Sequence, residues 1–175
     1  MNALWFATRS TGLMTLVLLT AVTVLGILTA GGWVHRHWPR LVTSGLHRNL
    51  SLLTVLFLGT HIATTVVDGY APVGWLDAVV PFASPYKTLW LGLGAVAVDL
   101  VIALVATSLI RSRLPVRAWR GLHWTAYGAF GLAVLHGLGA GTDTGLDLAL
   151  SLACLLAVAG TAAVRFGLTR TETYA

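Results

Sequence analysis

Residues 45–61 read GLHRNLSLLTVLFLGTH, and residues 121–136 read GLHWTAYGAFGLAVLH. Each string opens on Gly-Leu-His, runs through mostly apolar residues and closes on a second histidine. An apolar run needs about 20 helical residues to cross a bilayer core of roughly 30 Å. Both strings lie in runs of that length, at about 44–67 and 120–139. Three more runs of the same kind occupy about 11–30, 89–110 and 146–165. Backbone groups in lipid must be satisfied within the segment, so these runs are expected to be helices. None alternates apolar and polar residues as a barrel strand does. The expected fold is therefore all-α and integral to the membrane: a bundle of five transmembrane helices forming one domain over residues 1–175.

Composition agrees. Hydrophobic residues make up 57% of the 175 and charged residues 10%, with mean hydropathy +0.82. A soluble domain carries about 25% charged residues, so too little polar surface remains to cover a water-soluble globule. Cys154 is the single cysteine, which rules out a disulfide scaffold. The net charge of +5 does not mark a nucleic-acid binder, because the basic residues sit in short connections between apolar runs. Membrane lipid is the expected surrounding. The first run is longer than the apolar stretch of a cleaved signal and is expected to stay as a helix.

The basic residues also set an orientation. Arg36, Arg40, Arg48, Arg111, Arg113, Arg117, Arg120, Arg165 and Arg170 fall on one side, and Arg9 and Lys87 on the other. By the positive-inside rule the C-terminus is expected in the cytoplasm and the N-terminus outside. A bacterial-type inner (plasma) membrane is the expected location. Trp75, Tyr86 and Trp90 suit an outer aromatic belt, and Trp33, Trp38 and Trp119 a cytoplasmic one. In the longest connection, Trp75, Leu76, Val79 and Val80 form one face of an expected short helix on the outer surface.

Histidine inside a membrane is costly and points to function. His47 and His61 are 14 residues apart, or about 21 Å along a helix, and their rings share a face to within about 40°. His123 and His136 are 13 apart, or about 20 Å. The second and fourth runs travel in the same direction. His47 therefore comes level with His123 near the cytoplasm, and His61 with His136 near the outer face. Each level offers two opposed imidazoles, the arrangement that grips haem iron from both sides. A zinc site needs ligands converging within about 2 Å of one ion, which two levels this far apart do not provide. The 13-residue gap leaves the rings about 140° apart on an ideal helix. A departure from ideal geometry is expected, with Gly128 and Gly131 as its natural hosts.

Small residues near the ligands (Gly45, Gly59, Gly121 and Gly137) are read as room for a macrocycle. Arg48, Arg117 and Arg120 lie at the inner level, where they can pair with haem carboxylates. Phe57, Tyr127 and Phe130 lie between the levels, as haem-packing residues or as plain core. Asp99 is expected to face the bundle interior, hydrogen-bonded to a threonine such as Thr54, Thr60, Thr64 or Thr65, or else to serve proton or quinol chemistry. His35 and His37 suit a solvent-facing loop. Thr142, Asp143 and Asp147 read as the capped start of the fifth helix. Asp68 and Tyr70 are candidates for the border of an acceptor pocket.

The two strings resemble the ferric-reductase-like transmembrane domain, shared by ferric reductases, NADPH oxidases and the haem-binding membrane subunit of a bacterial methionine sulfoxide reductase system. In that family two helices each carry two histidines, with spacings of 14 and 13. The resemblance covers nearly the whole chain. It implies a bis-histidine di-haem core of four helices, with two haem b groups: His47 and His123 on the inner one, His61 and His136 on the outer. It also implies electron transfer from a cytoplasmic donor to an outer acceptor such as ferric iron, dioxygen or a partner protein. The larger relatives continue into flavin and nicotinamide domains. Here Gly137-Leu-Gly-Ala-Gly141 has the wrong spacing for G-x-G-x-x-G, so no flavin or NAD(P)H site is expected in this chain. The expected donor is a separate cytoplasmic flavoprotein or a membrane quinol, the latter making a quinone a second candidate cofactor. Two alternatives stay open: a haem-carrying subunit or sensor without turnover of its own, and a quinol-oxidising subunit serving a partner reductase.

Overall fold

The structure is a computed structural model that describes residues 3–30, 39–69, 71–141 and 144–172. Its regular elements are α1 (Ala3–Ala30), α2 (Arg40–Asp68), α3 (Thr88–Leu109), α4 (Val116–His123), α5 (Thr125–Ala140) and α6 (Thr144–Glu172), with short 3₁₀ turns at Trp75–Ala78 and Arg111–Arg113. No strand occurs among the described residues. Four helices are long and apolar enough to cross a membrane: α1, α2 from Leu41, α3, and α6 over Gly145–Arg165. The expected fourth span is split. α5 has 16 residues and α4 has 8, with Trp124 between them. The protein is thus an all-helical integral membrane protein, with its fourth run built from two pieces.

Several threonines within these spans are satisfied locally. Thr15 donates to the Thr11 carbonyl at 2.7 Å, Thr54 to Leu50 at 2.8 Å and Thr65 to His61 at 2.7 Å. Such back-bonding keeps a hydroxyl paired where no water can reach it. Gly69, at φ 65°, closes α2 in the left-handed conformation. Lys87 precedes α3 at φ 43°, a conformation that costs a side-chain-bearing residue roughly 1–2 kcal/mol. Its ammonium reaches the end of α5 and donates to the Gly139 and Ala140 carbonyls at 3.1 and 3.3 Å. A cation there complements the negative end of the helix.

The packing makes two leaves. α1 lies along α2, and α3 lies along α5. α1 also touches α5 and α6, and those three helices share a core of Leu16, Phe130, Val134 and Cys154. α2 has no comparable pairing with α4 or α5, so the two histidine-bearing helices stand apart with space between them. Arg9 of α1 and Asp147 of α6 form an ion pair at 3.3 Å that ties α6 to α1 at one end. Asp147, expected as a helix-start residue, lies in the first turn of α6 and is buried in that pair.

The connection between α2 and α3 forms a single 3₁₀ turn, and Trp75, Leu76, Val79 and Val80 are all exposed on it. Its Asp77 carboxylate accepts from the Gly74 N–H at 2.8 Å. Trp90 is half-buried. Its indole is packed on Gly139 so closely that no side chain fits there, wedging α3 against α5.

Candidate functional site

The four histidines of α2, α4 and α5 meet in two facing pairs. The ring centroids of His47 and His123 are 6.2 Å apart with planes at 55°, and those of His61 and His136 are 6.4 Å apart with planes at 81°. An imidazole nitrogen holds a transition-metal ion at about 2 Å, so two imidazoles on opposite sides of one ion place their ring centres roughly 6.3 Å apart. Both separations match that geometry. Among the described residues no group of three or more His, Cys, Asp or Glu converges as a metal cage. A level with two nitrogen ligands suits an ion that brings its own equatorial ligands, as a porphyrin iron does, and does not suit bare zinc.

The helix break is what brings His123 and His136 onto one side. At Trp124 the backbone tightens: its N–H reaches both Arg120 and Gly121, and the Tyr127 N–H bonds the Trp124 carbonyl three residues back at 3.2 Å. The Thr125 hydroxyl donates to the Leu122 carbonyl at 2.7 Å. Winding at 3.0 rather than 3.6 residues per turn adds about 20° per residue, which closes part of the 140° gap. The irregularity thus sits next to the first ligand. The expected hosts, Gly128 and Gly131, lie inside regular α5.

The outer pair is anchored from behind. Nδ1 of His61 donates to the Thr8 carbonyl of α1 at 2.8 Å, and Nδ1 of His136 to the Trp90 carbonyl of α3 at 2.9 Å. Each bond fixes the tautomer and leaves Nε2 as the free ligating nitrogen. Thr8 was not singled out from sequence, and Trp90 only as an interfacial aromatic, because each meets its histidine only through tertiary packing. A mostly apolar cavity of about 300 Å³ opens between the leaves at this level, with His61, His136, Ala133 and Gly137 on its walls. That is at the lower end of small-molecule pockets. Arg9, Asp147 and Asp68 line its polar end, and Asp68 Oδ1 is buried there with no partner among the described residues.

The inner pair is held differently. The Trp119 ring stacks on His123 at 4.8 Å and 22°, and the Arg111 guanidinium lies over Trp119 at 4.4 Å. Trp119 is thereby a stacking residue one turn before the ligand. Nδ1 of both His47 and His123 is buried without a partner among the described residues. Arg48, Arg117 and Arg120 are exposed at this end, as placed from sequence.

Other expected residues fall elsewhere. Phe130 is 4% exposed in the α1–α5–α6 core and is not a wall of the cavity, so the plain core reading holds for it. Tyr127 stays 37% exposed beside Trp124, at 5.4 Å between rings, and Phe57 is half-buried; neither lines the cavity. Asp99 is half-buried on α3, and no hydrogen-bond partner reaches it among the described residues. The expected threonine partners are out of play: Thr54, Thr60, Thr64 and Thr65 all bond carbonyls of their own helix. A Cβ added at Gly45, Gly59, Gly121 or Gly137 would meet nothing within 4 Å. His35, His37, Trp33, Trp38, Tyr70, Thr142 and Asp143 lie outside the described residues.

Comparison with known proteins adds two findings. The family model described as the ferric reductase like transmembrane component matches residues 11–137, which contain all four histidines. The protein-methionine-sulfoxide reductase heme-binding subunit MsrQ of Ralstonia nicotianae is 33% identical over 140 residues, 77% of this chain. That match spans 58% of the relative's own length. No solved structure matches.

Proposed function

The chain belongs to the family of ferric reductase like transmembrane components, and from that premise we propose that it carries electrons across the membrane on two b-type haems. His47 and His123 hold the inner haem; His61 and His136 hold the outer one. One observation carries the reading: two levels of facing imidazoles, each at the spacing two axial ligands would require and each, among the described residues, without a third protein ligand. The excess of arginine at the His47–His123 end supports a cytoplasmic position for that end. Electrons then enter at the inner level and leave at the outer one.

Haem supplies one-electron redox chemistry; the protein supplies ligands, orientation and a low-dielectric sleeve. The carbonyls of Thr8 and Trp90 orient the outer ligands. Arg111 and Trp119 steady His123. The exposed Arg48, Arg117 and Arg120 offer charge-assisted bonds to haem carboxylates at the inner face.

The acceptor favoured is a partner protein, since the relative from Ralstonia nicotianae is named as the heme-binding subunit of a reductase. Ferric iron or dioxygen taken directly from the outer side is the competing case. Pyridine-haemochrome analysis of the purified chain tests the cofactor. Two haems per chain are expected, and a colourless preparation from iron-replete cells overturns the proposal. Anaerobic reduction followed by a ferric chelate or oxygen tests the acceptor: rapid reoxidation favours direct turnover, and a persistent reduced spectrum favours the subunit role.

A further inference from the structure

Each outer imidazole lies against a place where its neighbouring helix has no side chain. On α1, a Cβ at Gly12 would stand 2.9 Å from both Nδ1 and Cε1 of His61. On α3, a Cβ at Gly94 would stand 2.5 Å from Nδ1 and 2.8 Å from Cε1 of His136. Real Cβ atoms essentially never come within 3.0 Å of such neighbours, and both contacts are with stiff ring atoms held by a hydrogen bond to the same helix.

The two glycines share a register with the carbonyls that the histidines use. Thr8 accepts from His61 and stands four residues before Gly12; Trp90 accepts from His136 and stands four before Gly94. Residues four apart lie one above the other on a helix face. The carbonyl of the first already accepts the N–H of the second, and its other lone pair is free for an imidazole. A ring reaching that lone pair must pass over the position of the second residue's Cβ. Glycine leaves the approach open, and any other residue closes it.

α1 repeats the register 14 residues along, at Val22 and Gly26, the same interval as His61 to His47 on the helix beside it. There a Cβ would be 3.7 Å from Cε1 of His47, an ordinary contact, and the His47 imidazole approaches the Val22 carbonyl without closing the hydrogen-bond geometry seen at the outer level. α3 has Leu104 and Ser108 at the corresponding places, with no glycine. The tight form of the device, in which the glycine's place admits no Cβ, is the one seen at the outer level.

We propose that Gly12 and Gly94 are positioning residues that seat His61 and His136 on the Thr8 and Trp90 carbonyls, and that through these bonds they lower the redox potential of the outer haem. This rests on the di-haem reading above. A hydrogen bond from Nδ1–H to a carbonyl makes the imidazole a more electron-rich ligand and favours ferric over ferrous iron.

The test is a redox titration of the purified full chain, followed at the haem α-band, for the unaltered protein, Gly12→Ala, Gly94→Ala and the control Gly160→Ala, an exposed α6 position where a Cβ meets nothing within 4 Å. In Gly12→Ala and in Gly94→Ala one midpoint potential is expected to rise, or half the haem to be lost, with the other transition unmoved. Gly160→Ala should titrate like the unaltered protein. Two haems per chain with unchanged potentials in both alanine variants would overturn the inference and leave the di-haem reading standing. An unaltered chain without two haems would overturn both. Should a variant not accumulate, electron–nuclear double resonance on the unaltered ferric protein decides. An exchangeable hydrogen-bonded Nδ1 proton on both ligands of one haem supports the inference, and its absence refutes it.

Discussion

The ring planes of His61 and His136 stand 81° apart, close to perpendicular, whereas those of His47 and His123 are inclined at 55°. Axial ligand planes at right angles give the two iron dπ orbitals nearly equal energy, and parallel planes split them. The ferric protein is therefore expected to show two low-spin resonance signals, the more anisotropic one from the outer haem. Low-temperature electron paramagnetic resonance reads this directly. A single isotropic-like signal would contradict the ring geometry.

Removing one ligand of a level should empty that level. His61→Ala or His136→Ala is expected to halve the haem per chain and abolish the more anisotropic signal. His47→Ala or His123→Ala should abolish the other. Haem content and spectra of the four variants check the pairing, and loss that follows the helix rather than the level would defeat it.

Much of this was legible because a histidine in an apolar span is conspicuous and its interval along the chain translates directly into depth. His47 and His61 share a helix face by arithmetic alone. The His123–His136 gap signalled that something must bend, but not where: the break depends on Trp124 and the Leu122 carbonyl, not on the flexible glycines that suggest themselves. Thr8 and Trp90 lie 53 and 46 residues from the histidines they orient, so only tertiary packing discloses them. Phe130 and Asp99 show the converse: position along a helix does not tell which neighbour fills the space beside a side chain.

The Arg9–Asp147 pair should contribute measurably to stability, since both side chains are mostly covered, at 17% and 9% exposure. Removing one partner leaves a charge without its counter-ion, and hydrogen bonds to charged groups are worth about 1.5–3 kcal/mol. Arg9→Ala and Asp147→Ala are each expected to lower the melting temperature in detergent. The double variant should lose less than the sum of the two. Additive losses would mean that the two side chains act independently.

Trp119→Ala should act on the inner level only. It removes an aromatic stack on His123, worth about 0.5–1.5 kcal/mol, and the seat of Arg111, worth about 0.5–1 kcal/mol. The expected result is an altered inner-haem spectrum, with the outer-haem signal intact. Trp119→Phe, which keeps an aromatic face, should restore most of it. Equal disturbance of both signals would argue for a general packing defect.

The separation of α2 from α5 has a consequence for biogenesis. Each ligand-bearing helix already rests on a companion, α2 on α1 and α5 on α3, so the two hairpins can be complete and stable in the lipid before any prosthetic group arrives. Loading then resembles closing a book on a bookmark: a flat molecule slips sideways between two finished covers, and no span has to be melted to admit it.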